Sequence, residues 1–226
     1  MQLFPYHTAE EMRAISDFVH RAEGALVAAV ALLVIAEAAG RLRNRRLWPA
    51  TVCFAGLFLF AALLAPHHGL SHARSQWAFV FGDPQQRQHL LIAALVTVGG
   101  LAELLNRAGR LKVRRWALVW PAAVAGVGMA FLLHTQHGTG DAVARAVTVH
   151  RLLAGVFIGA GIARAAEVLR DTRAGLLRYA WGVMLLVAAG ILFTYREPPG
   201  AYAEPHRSAN GEPGAHGPGA AAGEPR

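Results

Sequence analysis

The sequence predicts an all-α, polytopic membrane protein of six transmembrane helices arranged as three helical hairpins, and three observations carry that prediction. The first is composition: of 226 residues, 54% are hydrophobic and only 16% charged, the balance of a chain dominated by segments in lipid. The second is a set of six apolar runs, about 20–39, 48–65, 89–105, 116–134, 150–168 and 179–195, each long enough to cross a hydrocarbon core of about 30 Å as helix. The third is internal recurrence at a spacing of roughly 60 to 70 residues, far looser than a solenoid repeat and suited to helical hairpins.

The elements follow in chain order. Thr8 and Glu11 have the S/T-x-x-E spacing of a capping box, so the first helix starts ahead of the membrane and runs into it. Its apolar part begins only near residue 20, after an acidic stretch, unlike a cleavable signal peptide. The links after the first, third and fifth runs carry Arg41, Arg43, Arg45 and Arg46, then Arg107, Arg110, Lys112, Arg114 and Arg115, then Arg170, Arg173 and Arg178. The positive-inside rule makes those links cytoplasmic and puts both termini outside. Trp48, Trp116, Trp120 and Trp181 fall near the inner interface, the expected place of an aromatic belt.

Each hairpin opens with a histidine (His20, His89, His150) and closes its first helix with Ala-Glu (Ala36-Glu37, Ala102-Glu103, Ala166-Glu167). Two return helices end in Pro66-His67-His68-Gly69 and His134-Thr135-Gln136-His137-Gly138, and the third in Phe193-Thr194-Tyr195-Arg196. Each of the three glutamates has an arginine about one turn on (Arg41, Arg107, Arg170), which predicts ion pairing at the inner rim. Gly155 and Gly159 form a GxxxG step, and Gly99, Gly100, Gly126 and Gly128 are further small-residue patches for close helix contact. In the outer loop 69–88, Trp77-Ala78-Phe79-Val80-Phe81 reads as an interfacial anchor or as a roof over the bundle. Residues 1–196 form the membrane domain, and 197–226, rich in Pro, Gly, Ala and Glu, form a disordered outer tail.

Several function classes drop out. A net charge of +8 suggests nucleic acid in a soluble protein, but here arginine gathers in short links where it serves topology, so no nucleic acid is expected. The one cysteine, Cys53, lies inside an apolar run, which excludes a disulfide framework or a cysteine-based zinc site. No nucleophile with its base, phosphate-cradling glycine loop or paired-carboxylate site emerges, so an enzyme is the weaker reading.

Histidine remains. On this topology all eleven histidines lie outside, and His20, His67, His68, His89, His134, His137 and His150 mark helix starts and ends, so that five helices reach one volume. Neutral imidazoles from several helices can hold one ion without leaving unpaired charge in lipid. The plainer reading of each is an interfacial side chain hydrogen-bonded to water or a carbonyl. His134 and His137 share a face if helical, and Asp17 and Glu23 could orient the His20 ring or join as ligands. Imidazole suits copper, zinc, nickel and haem iron, and copper binds a nitrogen site most strongly of the divalent ions.

These outer-facing histidines at helix ends, among them His67-His68-Gly69 and His134-x-x-His137-Gly138, resemble the bacterial copper resistance protein D group of inner-membrane proteins, over roughly residues 18–195. The resemblance implies a bacterial inner-membrane protein that binds a copper ion in transport, resistance or delivery, with a periplasmic copper-binding protein or cuproenzyme as partner. It carries over only to the histidines named, because no Met-rich or extended periplasmic ligand segment aligns. Two alternatives stand beside it. One is a b-type cytochrome with one outer-side haem b held by His89 with His134 or His150. The other is a metal-free membrane scaffold or assembly factor.

The arginine-rich links generate a direct test. Reporter fusions after residues 44, 110 and 173 should report cytoplasm and fusions after 75, 140 and 205 the outside, whereas a cytoplasmic C-terminus would put the histidines in the reducing compartment.

Overall fold

A computed structural model describes residues 8–65, 71, 73–136, 140–170, 175–198 and 202. It is all-helical, without strands among the described residues: α1 (Ala9–Ala38), α2 (Leu47–Leu64), α3 (Ala73–Gly82), α4 (Pro84–Arg107), a 3-10 turn (Arg114–Leu118), α5 (Val119–Leu132), α6 (Gly140–Arg170) and α7 (Leu177–Thr194). Among the described residues six helical segments, α1, α2, α4, the 3-10 turn with α5 (Arg114–Leu132), α6 and α7, are long and apolar enough to cross a membrane, which makes this a multi-pass membrane protein. Their packing closes a ring in the order α1, α2, α4, α5, α6, α7 and back to α1, and the most extensive contacts join α1 to α7, α5 to α6 and α2 to α4.

The capping box forms as expected: Glu11 N–H donates to Thr8 Oγ1 at 3.2 Å and Thr8 N–H donates to Glu11 Oε2 at 2.8 Å. From there α1 runs 30 residues, about 45 Å at 1.5 Å per residue, so it overshoots a core of about 30 Å. Helix α6 is as long, because helix begins at Gly140, ten residues before His150. Helix α3 packs on α2 and α4 alone, with Val80 buried and Trp77 and Phe81 outward. Its Gln76 and Trp77 side chains donate to the Leu63 and Leu64 carbonyls at 3.1 and 3.0 Å, satisfying open acceptors at the end of α2. That arrangement fits an interfacial anchor rather than a roof.

The tryptophans depart from the expected belt. Of the four expected there, only Trp116 is exposed; Trp48, Trp120 and Trp181 are buried at the arginine end, with ring centroids 5.7 Å apart for Trp48 and Trp120 and 5.3 Å for Trp48 and Trp181. The reason is that their polar partners lie inside the bundle. Trp48 Nε1 donates to Glu37 Oε2 at 2.6 Å, Arg107 stacks over Trp48 at 4.7 Å, and Arg164 over Trp181 at 5.2 Å.

The glutamates Glu37, Glu103 and Glu167 do converge and are ion-paired. Arg107 bonds Glu37 at 2.6 Å and Glu103 at 2.8 Å, and Arg164 bonds Glu103 at 3.1 Å and Glu167 at 2.7 Å. The cation on the third hairpin is Arg164, one turn before Glu167, in place of the expected Arg170, which is exposed, as is Arg41.

Close helix contact falls at Gly99, Gly100 and Gly128, as expected, but not at the GxxxG step. A Cβ on Gly155 would meet open space and one on Gly159 only the flexible Met184 side chain, so the GxxxG step is not the tight seam. The backbones approach most closely at Gly24, Gly128 and Gly161, where an added Cβ would fall 2.7 Å from Phe193 N, 2.8 Å from Ala154 O and 2.7 Å from Pro121 O. Gly161→Ala should therefore cost about 1–3 kcal/mol through forced separation of α5 and α6, while Gly155→Ala should be neutral or gain up to about 1 kcal/mol of helix propensity. Thermal unfolding in detergent checks the pair, and equal shifts would contradict the packing.

Candidate functional site at the histidine end

Opposite the arginines, four of the expected histidines come together. His89 lies one turn into α4 and His150 a third of the way along α6, on helices that flank the end of α5. Ring centroids of His89 and His134 are 4.9 Å apart, those of His134 and His150 4.3 Å. His150 is buried, stacks on Phe131 at 5.6 Å and 11°, and its Nδ1 has no hydrogen-bond partner. Tyr195, just past α7, continues the arc, 6.3 Å from His150 and 4.8 Å from His20 on α1.

Two of the rings are oriented by their own helices. His20 Nδ1 lies 2.8 Å from the Ser16 carbonyl and His89 Nδ1 2.9 Å from the Gln85 carbonyl. A carbonyl only accepts, so each Nδ1 carries a proton, and Nε2 is the nitrogen left for a ligand contact in the neutral ring. That is how ligand histidines are commonly held in metal sites. Neither Asp17 nor Glu23 orients His20: Asp17 accepts from the Glu197 backbone N–H at 2.8 Å, and Glu23 turns into the bundle interior.

His134 reaches the cluster by a route the sequence pattern did not suggest. Helix α5 ends at Leu132, so residues 134–136 are not helical, and the shared face expected for His134 and His137 falls partly outside the described residues. Instead Gln88, next to His89, clasps the turn: its Nε2 donates to the Leu133 carbonyl at 2.7 Å and its Oε1 accepts from Thr135 N–H at 2.8 Å. His67, His68 and His137 lie outside the described residues. Among the described residues, no group of three or more His, Cys, Asp or Glu is disposed to hold a metal ion as it stands.

The segment after α7 closes over this end. Glu197 is buried and accepts from the Ser16 hydroxyl at 2.8 Å, the Tyr195 hydroxyl at 2.9 Å and the Tyr202 hydroxyl at 3.3 Å. Burial, then the adjacent Glu197 charge, pushes the Tyr195 and Tyr202 phenols up, so both stay protonated donors. The packed structure therefore runs past the domain boundary drawn at residue 196, because Tyr202 gives the Pro/Gly-rich chain an apolar anchor; residues 203–226 lie outside the described part.

Between the two ends lies a cavity of about 80 Å³ lined by Val52, Ile92, Val124, Phe157 and Leu185, with Glu23 the one ionisable side chain on its wall among the described residues. No family model, curated protein or solved structure matches the chain.

Glu197→Ala should leave up to three hydroxyls without their acceptor and cost about 1–3 kcal/mol, more than Tyr202→Phe, which removes a single hydroxyl at a cost of about 1 kcal/mol. Chemical unfolding of the two variants measures this, and an unaffected Glu197→Ala would mean the 195–202 segment is not clasped to α1.

Proposed function

We propose that the protein binds a transition metal ion, copper first, at the histidine end of its bundle, in copper delivery, resistance or transport at a bacterial inner membrane. The observation that supports this reading is the contact of His89, His134 and His150 rings from three places in the chain, continued to His20 through Tyr195. Metal–nitrogen bonds of about 2.0–2.1 Å set tetrahedral ligand nitrogens roughly 3.3 Å apart, a separation that touching rings reach by rotation about χ2, a soft torsion for histidine. The ring order puts the end of α2 between α1 and α4, and His67 and His68 follow it in sequence; with His137 they complete the proposed ligand set.

Copper is favoured over zinc or nickel because an all-nitrogen site ranks it highest. Direct ring-to-ring contact suits one small ion better than haem b, which needs a flat slot between its two axial histidines. The apolar cavity favours binding and delivery over conduction, since a desolvated ion needs ligands along its path and Glu23 is the one ionisable group there. On this reading the histidine end faces the periplasm, both termini are outside, and a periplasmic copper-binding protein or cuproenzyme exchanges the ion.

The test is copper content of detergent-purified protein with and without His134→Ala and His150→Ala together. The double variant should lose most of its copper while staying helical and monodisperse, because lost ligands remove coordination energy directly. Full copper content would exclude the cluster as the site.

A further inference from the structure

The arginine end holds a second chamber. Its walls are Glu37, Arg45, Arg107, Arg164, Glu167 and Arg178, with Trp181 beside them, and its volume is about 230 Å³, room for several waters at about 30 Å³ each. Four guanidiniums thus face two carboxylates across it, while Glu103 sits behind, 1% exposed, its Oε1 shared by Arg107 and Arg164 and its Oε2 without a hydrogen-bond partner.

The acceptors are largely used. Glu37 Oε1 takes Arg107 and its Oε2 takes Trp48; Glu167 Oε2 takes Arg164. A guanidinium has five N–H donors, so the wall has far more donors than acceptors. Arg164 Nε is buried without any partner, and Arg45 stands 3.9 Å from Glu37 with 73% of its side chain exposed. Arg178 stacks on Tyr179 at 5.0 Å, which holds its planar group at the chamber. A neutral ligand would leave that excess unanswered. A tetrahedral oxyanion brings several acceptors and the charge to match, and arginine forks fit phosphate oxygens two at a time.

We propose that this chamber is a binding site for a phosphate-class oxyanion, as inorganic phosphate or as the phosphate of an anionic lipid headgroup. Basic pockets between helices at the membrane face are suited to the second source. Occupancy would tie the ends of α1, α4, α6 and α7 together through one ligand, so it should appear as stability.

The experiment is thermal unfolding of the full chain in non-ionic detergent, with inorganic phosphate against chloride at equal ionic strength, and in nanodiscs of phosphatidylglycerol against phosphatidylcholine. Arg45→Gln with Arg178→Gln is the companion variant, since neither residue belongs to the buried Arg107 and Arg164 network. A rise in Tm with phosphate alone assigns the free anion, and a rise with phosphatidylglycerol alone assigns the lipid; in either case the variant should lose at least half the rise. No rise in either arm, or a rise that the variant keeps in full, overturns the site.

Discussion

Glu103 is the constraint around which the rest of the structure is arranged. A carboxylate 1% exposed in the middle of a membrane bundle is tolerable only with cations against it, and it has two, Arg107 on its own helix and Arg164 on α6. Arg107 then reaches α1 through Glu37 and the link through the Arg45 carbonyl, and Arg164 reaches α7 through Trp181. One connected set of charges therefore fixes the ends of four helices and sandwiches the Trp48 ring of a fifth. Removing one partner would strand a buried charge, which is why such a network holds helices in register even where its net energetic gain is small.

The other end answers the same problem in the opposite way. The histidine end carries imidazole rings packed against Phe131 and Tyr195, two of them turned by helix carbonyls. A neutral imidazole costs less to bury than a charge and can serve a cation, whereas the buried carboxylate at this end, Glu197, is taken up by three hydroxyl donors. The apolar passage between the ends keeps the two chemistries apart. On the proposed metal-binding reading, a cation held by the histidines would have no chain of ligands leading to the arginine chamber.

Much of this was legible because the chain repeats. Length and hydropathy give the six spans, the Thr8 and Glu11 spacing gives the first cap, and equivalent positions of Glu37, Glu103 and Glu167 foretell a shared network. The tryptophans show where single-position reasoning failed: a ring near a helix end reads as a membrane anchor, but Trp48, Trp120 and Trp181 recur at equivalent starts of the three return helices, and recurrence in a closed ring means convergence inside. Glycine spacing misled for a similar reason. GxxxG marks a smooth stripe without saying which way it faces, and Gly155 faces outward. The Gln88 clasp on the 133–135 turn and the Glu197 acceptor are long-range contacts between residues with no sequence periodicity, so only the folded chain brings them together.

X-ray absorption at the copper edge, with an optical spectrum of the same purified sample, would show whether imidazoles at one end of the ring share a metal ion. The expected result is stoichiometric copper with the multiple-scattering pattern of at least two imidazole ligands and no Soret band. A Soret band in the protein as purified, or copper whose spectrum lacks imidazole, would contradict it.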